Sequence, residues 1–187
     1  MSIVSQLDAQ SAPITVRQFF ANGDPGPLSA TLAHVPDLMK TALPFLGTAF
    51  GASGIDLRTK EIVILRTSYL QRCHYCTNTH SMVAFKSGLT RDQVLALRSD
   101  DRPTQPFTNE RERVLIEWSD VVAQGPQRIT SELRAAMAEH FDESEVVELT
   151  MLVGATVMLS RYATALEFPM DEEHLAFLEN EDLVFCS

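Results

Sequence analysis

No segment of this 187-residue sequence alternates apolar and polar residues with a convincing period of two, so there is little from which to build a sheet. The chain instead carries a series of helix starts and stops. Asp56 precedes a long helical stretch, and Thr90 with Gln93 and Asp142 with Glu145 have the spacing of capping boxes. Thr108 is placed to cap a further helix, and Thr130 or Ser131 the one after it. Gly51, Gly88 and the Gly125-Pro126 pair are placed to end helices, Pro169 to break the longest one, and Pro36 to sit in a first turn. Pro44 is expected to kink or split the helix that Pro36 opens. Residues 14–21 and 28–34 read as short helices, and 171–180 as a terminal one. The run Ile62-Val-Ile-Leu65 could be a strand by periodicity, but its flanks favour a buried helix over 57 to about 72. The expected class is therefore all-α: about eight to ten helices in a bundle, with short loops.

Composition bounds what such a bundle does. At 45% hydrophobic and 21% charged, the chain can bury a substantial core, and one domain over 1–187 is expected. Residues 1–13 read as a loose arm, and 14–27 and 167–187 as peripheral. A net charge of -10 without any Lys/Arg run disfavours a nucleic-acid partner. The first residues lack the basic start and apolar core of a signal peptide, and the longest apolar run, 151–159, is far short of the roughly 20 residues of a membrane span. No membrane association and a cytoplasmic location are the expectation.

Two of the three cysteines stand together as Cys73-His-Tyr-Cys76, with His80 following and Glu61 one apolar helix upstream. On a helix, Cys73 and Cys76 lie one turn apart on one face, and His80 is four residues beyond Cys76, within reach of its sulfur. If the pair opens a helix, the exposed N–H groups favour thiolate, the reactive form. Glu61 is 12 positions before Cys73, about 18 Å along a continuous helix, and can join the site only if the chain bends near residue 72. We expect that bend. Tyr75 is as readily a packing residue as a site residue, His74 faces solvent, and Arg66 within its apolar run calls for a carboxylate partner. Cys186 reads as a tail cysteine without a role. The four groups Cys73, Cys76, His80 and Glu61 could also serve as zinc ligands, though no second pair completes a usual structural site. No metal and no cofactor is expected. Lys60-Glu-Ile-Val-Ile-Leu65 parallels Arg111-Glu-Arg-Val-Leu-Ile116, and Ser68 parallels Ser119, a hint of internal repetition.

The spacing Glu61-x11-Cys73-x-x-Cys76-x-x-x-His80, with Arg58-Thr-Lys-Glu-Ile-Val-Ile-Leu-Arg, Lys86-Ser-Gly-Leu-Thr and Thr108-Asn-Glu-Arg-Glu-Arg, resembles the alkylhydroperoxidase D-like (AhpD-like) branch of the carboxymuconolactone decarboxylase superfamily, over roughly residues 28–166. The resemblance implies an all-α fold that assembles as a homo-oligomer, a trimer or hexamer. It implies a thiol-dependent peroxidase acting on hydrogen peroxide or an alkyl hydroperoxide, with a dithiol reductant or a disulfide-carrying protein as partner. Cys76 would attack the peroxide, Cys73 would resolve it into a disulfide, and His80 and Glu61 would form the proton relay. Tyr75 stands where the best-known relatives have a histidine, which leaves the relay to its hydroxyl or to water. Decarboxylases of the superfamily lack the cysteine pair, which argues against lactone decarboxylation. A redox sensor or structural assembly protein on the same fold is the reading from a different class.

Overall fold

The computed structural model describes residues 3–184, and Cys186 lies outside them. Helix starts fall where capping side chains stand. Among the described residues there are nine α-helices: α1 (Gly26–Leu32), α2 (Pro36–Phe50), α3 (Leu57–Leu70), α4 (His74–Lys86), α5 (Arg91–Leu97), α6 (Glu110–Gln124), α7 (Ser131–His140), α8 (Glu143–Ala165) and α9 (Glu172–Asn180). No strand occurs among these residues. The Asp56 side chain accepts from Thr59 N–H, and both capping boxes close with both of their hydrogen bonds. Thr130 caps α7.

Some boundaries differ from the sequence reading. Asn109, not Thr108, caps α6, its side chain accepting from Arg111 N–H. The short helix expected at 14–21 is present as a 3₁₀ helix, Ile14–Phe20. Pro44 stands inside α2 without splitting it. As expected, the longest helix, α8, stops just ahead of Pro169, at Ala165, and Glu167 turns left-handed at φ 51°. The segment expected as a loose arm has anchors: Leu7 N–H donates to Ala30 O at 3.1 Å, and Ala12 is buried with Val16 and Phe20.

Helix α3 is the axis. Every residue from Lys60 to Tyr69 is buried, as befits a helix packed on all sides, here by α4, α6, α8 and α5. Three charged residues inside that run therefore need partners. Lys60 Nζ reaches Gly51 O and Glu148 Oε1, each at 2.6 Å. Arg66 meets the Asp120 carboxylate, with Nη2 to Oδ2 at 3.0 Å, and donates to Ser99 O, so the expected carboxylate partner is present. Glu61 is held by His80. Helix α8 is, by length and composition, long and apolar enough to cross a membrane. In this fold it packs against α2, α3, α4, α6 and α7.

Candidate active site

The junction between α3 and α4 makes the site. Helix α3 closes with a Schellman motif: Cys73 N–H donates to Ser68 O at 3.2 Å and Arg72 N–H to Tyr69 O at 2.9 Å. Arg72 takes the left-handed position at φ 54°, usually glycine's. Its guanidinium stacks 4.8 Å over the Tyr69 ring and bonds Asp100 at 2.8 Å. This is the bend expected near residue 72, and it folds α4 back along α3.

The reversal carries two consequences. Cys73 becomes the N-cap of α4, its sulfur accepting from Cys76 N–H at 3.2 Å, and Cys76 falls in the first turn, where helix N–H groups favour thiolate. Cys73 and Cys76 are joined as a disulfide, with Cα atoms 5.3 Å apart. The second consequence is that Glu61 and His80, 19 residues apart, meet: Nδ1 lies 3.0 Å from Oε2. With Nδ1–H donating to that carboxylate, Nε2 is left as an acceptor. Glu61 is almost wholly buried, whereas the His80 side chain keeps 24% exposure and lines a cavity together with Cys76.

That cavity holds about 280 Å³ and lies between α3, α4 and the second half of α8. Leu46, Phe50, Ile64, Leu159 and Phe168 supply hydrocarbon, and among the described residues no Lys, Arg, Asp or Glu lines it. Cys73 is fully buried behind Cys76, which is 8% exposed, so the second cysteine faces the cavity. Tyr75 also lines it, edge-on to Phe168 with ring centroids 5.3 Å apart. Burial pushes the Tyr75 phenol above its usual range. The phenol is therefore a neutral donor and not a base near pH 7. His74 is exposed, as expected.

Phe168 was not legible as a site residue. It arrives through a second Schellman turn, at the end of α8, where Phe168 N–H donates to Ala163 O at 3.1 Å and Ala163 joins the cysteine pair in one buried cluster. Among the described residues, no three of His, Cys, Asp and Glu stand together as a ligand set for a metal ion.

A capped, bent pair of helices presents a Cys-x-x-Cys beside a histidine–carboxylate couple in an all-α bundle, the arrangement that the AhpD-like resemblance in the sequence implies. Residues 36–116, which include all four of these side chains, match the model of the Carboxymuconolactone decarboxylase family. The chain thus carries a segment that matches that family's model, on an AhpD-like fold, and the resemblance in its sequence holds. The match is shorter than the span of 28–166 read from motifs. The chain is similar to the uncharacterized protein YnjA of Escherichia coli, 29% identical over 118 residues, which span 63% of each chain. Among solved structures it superposes on an AhpD-core, peroxidase-related protein from Ralstonia eutropha with a TM-score of 0.80, at 17% identity and 95% coverage of both chains. It also superposes on the debrominase Bmp8, solved with 2,3,4-tribromopyrrole, with a TM-score of 0.73, 21% identity, and coverage of 97% of this chain and 98% of that one. At these identities the structural likeness establishes the fold.

Proposed function

We propose that the protein is a thiol-dependent peroxidase working through a redox-active Cys73–Cys76 disulfide. The observation that carries this reading is the hydrogen bond of His80 to a buried Glu61 beside a cavity into which Cys76 faces. An ordinary thiol, with pKa about 8.5, is mostly protonated at neutral pH and needs a base. His80, held by Glu61 through Nδ1, offers Nε2 to take the Cys76 proton. The thiolate attacks the terminal oxygen of the peroxide, becomes a sulfenic acid, and releases an alcohol or water. Cys73, already one turn away, condenses with the sulfenic acid and expels water. An external dithiol returns the disulfide to two thiols, and the reading places the protein in a reducing compartment such as the cytoplasm.

Steady-state reduction of hydrogen peroxide and cumene hydroperoxide under dithiothreitol tests this. Wild-type protein is expected to turn over many times, and Cys76→Ser not at all. Loss of two thiols with no further turnover would instead mark a sensor. The debrominase likeness raises one alternative electrophile for the same thiol, a carbon–halogen bond. Release of bromide from 2,3,4-tribromopyrrole, with peroxides left untouched, would select it.

We further propose that the chain self-associates. Leu38 and Phe45 on α2 and Val147, Met151 and Met158 on α8 are exposed large apolar side chains on two helices that pack together.

A further inference from the structure

Helical hydroxyls in this protein generally satisfy themselves by donating to a carbonyl one turn back. Thr31 does so to Pro27, Ser81 to Thr77, Ser119 to Leu115, Thr150 to Val146 and Thr156 to Leu152, at 2.6 to 2.8 Å. Thr67 and Thr77 depart from this habit, as does Thr79 at the cavity, and so do two serines, Ser68 on α3 and Ser160 on α8. Both serines are buried, at 0% and 1% exposure, and their hydroxyl oxygens have no hydrogen-bond partner among the described residues. Ser119, the counterpart of Ser68 in the parallel between α3 and α6, is bonded back to its own helix. A serine can therefore satisfy itself at that place, and Ser68 does not.

Both serines line the cavity that Cys76 and His80 face. Ser68 is fixed to the thiol pair, since its carbonyl accepts the Cys73 N–H. Ser160 stands one turn before Ala163, which shares a buried cluster with the cysteine pair. A buried hydroxyl without a partner is unfavourable in the resting protein, and it is retained most economically where a ligand supplies the partner. The remaining walls are chiefly hydrocarbon and aromatic, without charged side chains.

We propose that Ser68 and Ser160 are the hydrogen-bond donors for the carbon-bound oxygen of a neutral organic hydroperoxide whose apolar group fills the rest of the cavity. This rests on the peroxidase reading. In the step concerned, the Cys76 thiolate forms a bond to the terminal oxygen and the O–O bond breaks. Its electron pair leaves on the carbon-bound oxygen as an alkoxide, which takes the proton held by His80 and departs as an alcohol. Sulfur is oxidised by two electrons to the sulfenic acid, and the peroxide is reduced by two. Negative charge grows on the departing oxygen only during this step, so two preset donors there stabilise the transition state more than the bound substrate.

The test compares wild type with Ser68→Ala, Ser160→Ala and Ser160→Thr. Turnover of cumene hydroperoxide under dithiothreitol is read beside the rate of Cys76 alkylation by iodoacetamide, which forms no alkoxide. Each alanine variant is expected to lose roughly 10²-fold in kcat/KM, mostly in kcat. Alkylation should stay within about twofold, and Ser160→Thr should recover most of the peroxide rate. Removal of an unsatisfied hydroxyl should leave the melting temperature of the alanine variants equal or higher. Peroxide rates unchanged in both alanine variants, with wild type active, would overturn the assignment of the serines and leave the peroxidase reading intact. A parallel fall in alkylation would also overturn it, as the serines would then only shape the thiol's surroundings. Wild-type protein inactive on every hydroperoxide would sink the peroxidase reading and this inference with it.

Discussion

Glu61 shows why residue identity matters at this site. A carboxylate 5% exposed in the middle of the most buried helix is costly unless paired, and His80 is the partner 3.0 Å away. The pair fixes which imidazole nitrogen is free, so the two residues act as one unit. His80→Ala is expected to slow peroxide-driven disulfide formation about 10²-fold, the usual worth of a positioned proton acceptor. Glu61→Gln should cost less than His80→Ala, and the double variant little more than His80→Ala alone. Stopped-flow rates for the three variants check this; additive losses would mean that Glu61 acts separately from His80. Tyr75 belongs to the cavity wall, with a phenol kept protonated by burial. A base at residue 75 is not what the fold provides.

At the scale of elements, the site exists because α3 stops where it does. The bend and its place were legible in the sequence, since Glu61 and the cysteines could meet in no other way. The means was not legible: a Schellman turn usually announces itself by glycine, and here Arg72 takes the left-handed position, compensated by Tyr69 and Asp100. Arg72→Val should therefore destabilise the protein by about 2 kcal/mol, because a β-branched residue fits that conformation poorly. Arg72→Gly should stay within about 1 kcal/mol of wild type, backbone relief offsetting the lost stacking. Chemical denaturation with both variants decides this. The caps at Asp56, Thr90 and Asp142 were legible because their chemistry is local. Asn109 in place of Thr108 was a one-residue ambiguity between two good capping types. Phe168, Ser68 and Ser160 escaped for a different reason. They reach the cavity through the packing of α8 on α3 and α4, and no local pattern encodes that contact.

At the scale of the molecule, the all-α class was legible from periodicity, and the arrangement around α3 was not. Its buried charges tie the outer layers to the centre. Lys60, fully buried, is paired with Glu148 on α8, and the Lys60 ammonium lowers the Glu148 carboxyl below its ordinary range, with the Ser53 hydroxyl adding to this. A depressed carboxyl stabilises the fold above its unfolded value, near pH 4.3, and that contribution fades as pH falls through the lower folded value. Melting temperature should therefore drop more steeply with acid below about pH 4 in wild type than in Lys60→Met; identical acid limbs would refute the coupling. The exposed stripe on α2 and α8 makes a second molecular prediction. Light scattering of wild type should give a mass above the 20.8 kDa of one chain, and Phe45→Lys with Met151→Lys should return it to that value. A wild-type monomer would remove the proposed self-association.

The central claim is that Cys76 meets peroxide first and Cys73 answers it. Intact-mass and peptide mass spectrometry of reduced Cys73→Ser, treated with one equivalent of cumene hydroperoxide, tests this most directly. The account predicts one added oxygen on Cys76, as a sulfenic acid trapped by dimedone. An unmodified Cys76, or oxygen arriving on Cys73 of Cys76→Ser at the same rate, would contradict it.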